Sequence, residues 1–184
     1  MSLQEQPSKA AGNELALQLL TQPALRQRMN RDSKMSLSTI YQNAVSAMQR
    51  LGSQQVAKKA VHDNGLLTHR ALVEGLPGEA MFISSAFLFD SVEDASSLFG
   101  LTAKTMRAKR GARLDLQQGE ASVRLMRACE AAARVHGSFE AGREWMKTPN
   151  FALGGEQPVQ LLKTADGTAM VLRELQAQDD SAPL

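Results

Sequence analysis

The fold is decided by the stretch Trp145-Met-Lys-Thr-Pro-Asn-Phe-Ala-Leu-Gly-Gly-Glu-Gln-Pro158. Pro149 biases Thr148 away from helical backbone angles, so the helix that carries the single tryptophan should end there. Gly154-Gly155 permits backbone angles closed to other residues, and Pro158 suits the first position of a new helix. The stretch therefore predicts a helix, a fixed corner and a second helix, with the tryptophan as a large buried anchor one turn before the corner.

The composition favours helices. The chain has 184 residues, of which 43% are apolar, and this is enough to bury a core. Leu, Ala, Met and Gln are frequent, whereas Val, Ile and Tyr are sparse. No alternation of period two is bounded by turn residues. We therefore predict an all-α fold.

The cysteine and hydropathy patterns place the chain in the cytoplasm. The single cysteine, Cys129, excludes an internal disulfide framework and suits a reducing compartment. Its apolar neighbours predict a small buried residue. The first residues show no secretory signal, and no stretch approaches the ~20 apolar residues of a membrane span.

Charge is distributed unevenly along the sequence. Residues 1–100 carry nine basic and nine acidic side chains, and residues 101–150 carry ten and five. Residues 151–184 carry two basic and five acidic side chains. Five cations without an intervening acid fall between Lys104 and Arg113. Such a basic patch is typical of phosphate contact, although a solvated helix face is the more frequent explanation.

The first seventy or so residues are predicted to be a helical extension, residues 13–74, that follows a disordered segment at 1–12. The clearest amphipathic helix spans 37–51, with Gly52 as a stop. The role of this helix is open between core packing, dimerisation and an extra DNA contact. The other predicted helices are Asn13–Met29, interrupted at Pro23, Gln54–Asp63, and Thr68–Glu74, closed by Gly75.

The middle of the chain predicts a helix-turn-helix. The apolar segment from Ala80 to Phe89, introduced by Pro77, should form the core. Ser91 and Thr102 are suited to cap two short helices. Small Ser96, Gly100 four residues later and apolar Met106 match the requirement for two closely crossing helices.

The second helix of this pair is the candidate DNA reader. Its N-terminal end would enter the major groove while the remaining cations contact phosphate. Lys104, Arg107, Lys109 and Arg110 should be exposed, although Lys109 stands where helix-turn-helix proteins usually have an apolar residue. The candidate DNA-binding residues are Thr102, Lys104, Thr105, Arg107, Lys109, Arg110 and Arg113.

Four further helical segments follow. A long helix spans roughly Gly119–His136, with the cationic His136 suited to the helix dipole. Ser138 then caps the helix that carries the tryptophan. After the corner come Pro158–Lys163, in which Leu161 faces the core, and a last helix opened by Thr164. The segment from Gln176 to Leu184 is polar and acidic and should be flexible.

Two motifs resemble a known family. The pattern W-x-x-T-P-N-x-A-L-G-G-x-x-P-x-x-L-L resembles the C-terminal toxin-binding domain of the MbcA/ParS/Xre antitoxin family. The segment Leu101–Arg110 resembles the Xre-like helix-turn-helix just upstream of that domain, and Gly75-Leu-Pro77 resembles its lead-in. The resemblance covers about residues 75–176. It implies an Xre-like domain at 75–137 and a toxin-binding domain with a flexible tail at 138–184.

The resemblance implies a function and partners. Antitoxins of this family bind a RES-domain or related toxin that consumes NAD or transfers ADP-ribose, and in some the C-terminal segment reaches the active site. We accordingly expect a homodimer that covers its toxin's active site and represses its own operon by binding operator double-stranded DNA. The candidate toxin-binding residues are Trp145, Asn150, Leu153, Gly154, Gly155, Pro158, Asp179, Asp180 and Leu184.

The sequence predicts neither an enzyme nor a metal or cofactor site. His62 and His69 have no ligand cluster of metal spacing around them, and no nucleophile or phosphate-loop motif is present. Two other interpretations remain open. One is a helix-turn-helix regulator without a toxin partner, whose C-terminal domain serves oligomerisation. The other is an adaptor whose basic helix is merely solvated.

Overall fold

The structure, a computed structural model, describes residues 17–32, 34–56 and 65–181. Within these ranges the chain is all-α, as predicted, and contains no strand. The helices are α1 (Pro23–Arg31), α2 (Leu37–Val56), α3 (Gly65–Glu74), α4 (Glu79–Ala86), α5 (Val92–Leu98), α6 (Ala103–Ala108), α7 (Leu116–His136), α8 (Phe139–Lys147), α9 (Pro158–Leu161) and α10 (Ala165–Ser181), with a 3₁₀ turn at Phe151–Leu153.

The N-terminal helices follow the predicted pattern apart from two boundaries, one of which is the start of α3 at Gly65 rather than at Thr68. Residues 17–20 are helical, and Pro23 starts a new helix, α1. Helix α2 continues to Val56, so the predicted stop at Gly52 and fresh start at Gln54 are wrong. A glycine inside a helix costs only about 1 kcal/mol relative to alanine, which the flanking turns can offset. The predicted disordered segment 1–12 and the end of the helix expected at Gln54–Asp63 lie outside the described residues.

Helix α4 forms the centre of the core. All of its residues, including the acidic Glu79, are buried, and α2 and α7 pack against it. The ring of Phe87, just after α4, lies 5.3 Å from the Tyr41 ring of α2 and 4.9 Å from the Phe139 ring of α8. This aromatic trio joins the N-terminal, middle and C-terminal parts in one core, so α2 has a role in core packing.

A short pairing ties the lead-in of α4 to the segment after α6. The Gly78 amide donates to the carbonyl of Ala112 at 2.7 Å, and the Leu114 amide donates to the carbonyl of Leu76 at 2.8 Å. A Cβ at Gly78 would overlap the carbonyl oxygen of Lys109. Glycine is therefore required at this close approach of two backbones.

The C-terminal helices differ from expectation at three boundaries, one of which is the end of α9 at Leu161 rather than at Lys163. Helix α7 begins at Leu116 rather than Gly119, because Asp115 caps it by accepting a hydrogen bond from the Gln118 amide at 2.9 Å. Helix α10 continues to Ser181, so the flexible segment expected from Gln176 is helical up to that residue. Its buried face continues through Leu175, and Asp179 pairs with Arg134 of α7 at 3.7 Å.

Two predicted core positions are less buried than expected. Trp145 is only partly buried, with its ring 5.4 Å from that of His136. Leu161 is also partly buried, whereas Val159 and Leu162 beside it are buried. The buried positions of the four-residue helix α9 are Pro158 and Val159, and Leu162 follows directly after its end. Cys129 is buried, as predicted.

Candidate functional site

The corner after α8 is a closed loop, residues 150–156, which we call the corner loop. Thr148 is extended, as Pro149 requires, and ends α8. The Asn150 amide donates to the Glu156 carbonyl at 3.0 Å, and the Gly155 amide donates to the Asn150 carbonyl at 2.9 Å. The Asn150 side chain accepts from the Ala152 amide at 2.9 Å. The loop is therefore held in one shape by its own backbone and by one asparagine.

Some of the predicted corner residues are buried beneath the loop, and the others are exposed on its surface. Gly154 and Gly155 are exposed and have φ values of 73° and 83°, in the left-handed region that favours glycine. Leu153 and Pro158 are buried beneath the loop, so they hold it rather than face a partner. Of the predicted corner residues, the exposed surface is thus formed by the glycines and part of Asn150.

Sequence reasoning missed the most exposed residue of the corner. Phe151 has 98% of its surface accessible to solvent. It lies in the same 3₁₀ turn as Leu153, which is 5% exposed. A 3₁₀ turn has three residues per turn, so these two side chains lie on different sides of it. This spacing after the Asn150 cap was the signal in the sequence that could have indicated an exposed Phe151.

The acidic end of α10 is fixed to other partners. Asp179 pairs with Arg134 on α7, and Asp180 accepts a hydrogen bond from the Gln176 amide group at 2.6 Å. Leu184, the last predicted toxin contact, lies outside the described residues. The corner loop is thus closed on itself, whereas Asp179 is tied to the long helix.

Helices α5 and α6 pack as the spacing predicts. Ser91 accepts from the Asp94 amide and Thr102 accepts from the Thr105 amide, each at 3.1 Å, so both predicted caps are confirmed. Ser96 and Met106 are buried between the helices. Gly100 makes the turn with a φ of 65°.

The exposed face of α6 carries part of the predicted basic surface. Thr102, Lys104, Thr105 and Arg107 are exposed. The Arg107 guanidinium, however, bonds to Glu93 on α5 at 2.5 Å. That hydrogen bond holds the pKa of the Glu93 carboxyl below its usual value. Among the predicted DNA-binding cations of α6, Lys104 is the one that faces solvent. Arg107 can contact a phosphate only if its bond to Glu93 breaks.

Three other predicted cations are directed elsewhere. Helix α6 ends at Ala108, so Lys109 and Arg110 lie in the following turn, and the expectation that both would be exposed is wrong. Lys109 lies 3.6 Å from the Asp115 carboxylate, and Arg113 donates to the backbone carbonyls of Glu74 and Gly75. Arg110 lies half-buried over the Phe82 ring at 5.1 Å, where burial lowers its pKa. Cation–π contact and acceptors within the chain explain these directions.

The perturbed titratable groups of the long helix do not assemble into a reactive site. Burial raises the pKa of the Cys129 thiol and raises that of Glu130 to about 8. Burial also lowers the pKa of His136, so the predicted cationic role at the helix end is not favoured. Over the described ranges, no group of three or more His, Cys, Asp or Glu residues could hold a metal ion.

Among the helices in the described part of the chain, none combines the length and the apolar character needed to cross a bilayer.

Comparison with known proteins identifies the C-terminal part. Residues 131–180, which contain α8, the corner loop and most of α10, match the family described as the antitoxin Xre/MbcA/ParS C-terminal toxin-binding domain. This part is therefore similar to an antitoxin toxin-binding domain, and the resemblance that its motif predicts is confirmed over these residues.

One similar protein is an enzyme in name. The chain is 39% identical over 57 residues to 6-hydroxy-3-succinoylpyridine 3-monooxygenase HspA of Pseudomonas putida (strain DSM 28022 / S16). The similarity covers 29% of this chain and 18% of that protein. The chain thus spans less than a fifth of that relative. The shared segment therefore gives no reason to assign the relative's activity to this chain.

Proposed function

We propose that this protein is a non-enzymatic cytoplasmic antitoxin that neutralises a cognate RES-type toxin, which degrades NAD or transfers ADP-ribose, by covering its active site. It also binds operator double-stranded DNA and represses its own operon as a homodimer. The observation that carries the proposal is the match of residues 131–180 to a toxin-binding domain.

The geometry of the corner supports toxin binding. Its internal hydrogen bonds fix the loop before any partner arrives, so association does not have to order it. Leu153 and Pro158 support the loop from below. The remaining proposed contacts are Trp145, Asn150, Gly154, Gly155, Asp179, Asp180 and Leu184.

The charge and geometry of the middle region support DNA binding. Residues 101–150 hold ten basic and five acidic side chains, and the α5–α6 pair meets the packing requirement of a helix-turn-helix. The proposed DNA contacts are, first, the exposed residues of α6 and its cap: Thr102, Lys104, Thr105 and Arg107. Lys109, Arg110 and Arg113 would have to leave partners within the chain to reach phosphate.

Co-expression tests the toxin half of the proposal. A RES-domain toxin encoded in the same operon should arrest growth alone, and co-expression of this chain should restore growth and give a complex that co-purifies. No complex and no rescue would remove the antitoxin interpretation. A mobility shift on upstream DNA in that case would favour a regulator without a toxin partner.

A salt series tests the DNA half. The Lys104→Ala variant should bind upstream DNA more weakly and lower the slope of log K against log salt concentration by about 0.9. Lys34→Ala, an exposed cation near α1, is the matched control and should leave the slope unchanged. Equal slopes for all three proteins would show that α6 does not contact phosphate.

A further inference from the structure

Phe151 is exposed to an extent that its own fold does not explain. Its accessible fraction of 98% exceeds that of the other exposed large apolar residues of the described chain, which range from 43% to 65%. A side chain in this position gains almost nothing from burial within the monomer. Replacing it should therefore leave the folded state nearly as stable.

The corner loop holds this ring rigidly away from the surface. The backbone of Phe151 lies between the Asn150 cap and Leu153, and its carbonyl accepts from the Gly154 amide at 3.1 Å. The neighbours Ala152, Gly154 and Gly155 are small and exposed, so the ring stands alone at the tip. A large aromatic side chain on a preformed loop is the usual form of an interface anchor.

We propose that Phe151 is the central anchor of the toxin interface and inserts into a concave, apolar pocket of the toxin. This inference rests on the proposed toxin-binding function. Glu156, at the other end of the loop, is exposed, so the rim of the toxin pocket should be basic on the side that meets it.

The structure argues against a second copy of this chain as the partner of Phe151. A protruding ring needs an apolar socket. The cleft between the α5–α6 turn and α7, of about 210 Å³, has the apolar Leu98, Phe99 and Ala121 in its lining, but it also has Gln118, Arg124 and Lys163. The Gln118 Oε1 and Arg124 Nε atoms there are buried and have no hydrogen-bond partner among the described residues. A phenyl ring in the cleft would prevent water from satisfying them.

Calorimetry with purified proteins tests the proposal. The wild-type chain and the Phe151→Ala variant are titrated into the operon's RES-domain toxin, and thermal unfolding of each free chain is recorded. Loss of a hot-spot side chain should weaken toxin binding by at least about 30-fold. Val73→Ala, which truncates an apolar residue that is 65% exposed on α3, is the matched control and should bind like wild type. Phe151→Trp should retain most of the affinity.

The outcomes separate the inference from the proposed function. If wild-type protein fails to bind the toxin, the RES-type assignment fails and the anchor falls with it. If wild type binds and Phe151→Ala binds equally well, the toxin interface stands and only the anchor is overturned. If Phe151→Ala instead lowers self-association in sedimentation and leaves toxin affinity unchanged, the ring contacts a second copy and our proposal is wrong.

Discussion

The phenol of Tyr41 on α2 donates a 2.7 Å hydrogen bond to Oε1 of Glu140 in the first turn of α8, 99 positions along the chain. This contact connects a helix outside the family match with the helix that leads into the corner loop. Helix α2 therefore supports the family-matched part directly.

Removing this hydroxyl should destabilise the whole chain. Tyr41→Phe keeps the ring beside Phe87 and deletes only the hydrogen bond, so we expect a loss of about 1 kcal/mol, since Glu140 is exposed and can turn to water. Urea unfolding at neutral pH measures the change. Glu144→Gln, an exposed carboxyl on the same helix, is the control. Equal midpoints for Tyr41→Phe and wild type would contradict the prediction.

Acid should weaken the contacts that α8 makes. The hydrogen bond from Arg143 holds the pKa of Asp90 below its usual value, and the bond from Tyr41 does the same for Glu140. Because both pKa values are lower in the folded state, their stabilisation is present above the unfolded-state pKa of about 4 and is lost as pH falls through the folded-state values.

The Asp90→Asn variant should lose less folding stability than wild type as the pH falls from 7 to 3. Asp90 is largely exposed, so its cost at pH 7 should stay below about 1 kcal/mol. Unfolding midpoints between pH 3 and pH 7 for wild type, Asp90→Asn and the control Glu144→Gln give the comparison. If the unfolding midpoint of Asp90→Asn falls with pH as steeply as that of wild type, the ion pairs of Asp90 with Arg143 and Lys147 contribute no measurable stability.

The contact between α7 and α8 should not tolerate a methyl group at Gly142. A Cβ there would lie 2.8 Å from the backbone of Ala132 and Ala133, too close without separating the helices. Gly142→Ala should cost about 2–3 kcal/mol in thermal or urea unfolding. Gly111→Ala, where a Cβ meets nothing within 4 Å, is the matched control and should be neutral or slightly stabilising. Similar stability of the two variants would argue against this packing.

Glu93 should restrain DNA binding by occupying Arg107. If α6 is the DNA-contacting helix, Glu93→Gln frees the guanidinium and removes a charge that repels phosphate. Affinity for upstream DNA should then rise about 3- to 10-fold at low salt, with a steeper salt dependence. Glu174→Gln on α10 removes the same charge elsewhere and should change little. An equal rise in DNA affinity in both variants would show that the effect comes from net charge and not from the release of Arg107.

Local rules were enough for the features that depend on neighbouring residues. The caps at Ser91, Thr102 and Ser138 and the positive φ at Gly154 follow from side-chain hydrogen bonding and from steric freedom. Each requires only a few consecutive residues, and each lies where the sequence predicts.

Features that depend on distant residues were not predictable in this way. Arg110 turns inward because Phe82, 28 positions earlier, offers its ring. Helix α10 extends past Gln176 where Asp179 meets Arg134 of another helix. The exposure of Phe151 depends on how the loop packs over Leu153, so the 3₁₀ spacing indicates it only once that turn is known.

The aromatic trio has a practical consequence for anyone dividing this chain into fragments. A cut before Ala131, chosen to isolate the family-matched portion, would remove the Phe87 ring that contacts Phe139 and the Tyr41 phenol that donates to Glu140. Such a fragment would expose the apolar surface that Phe87 covers on Phe139, and exposed apolar surface promotes nonspecific association. Pull-down experiments are therefore best done with the intact polypeptide and point variants.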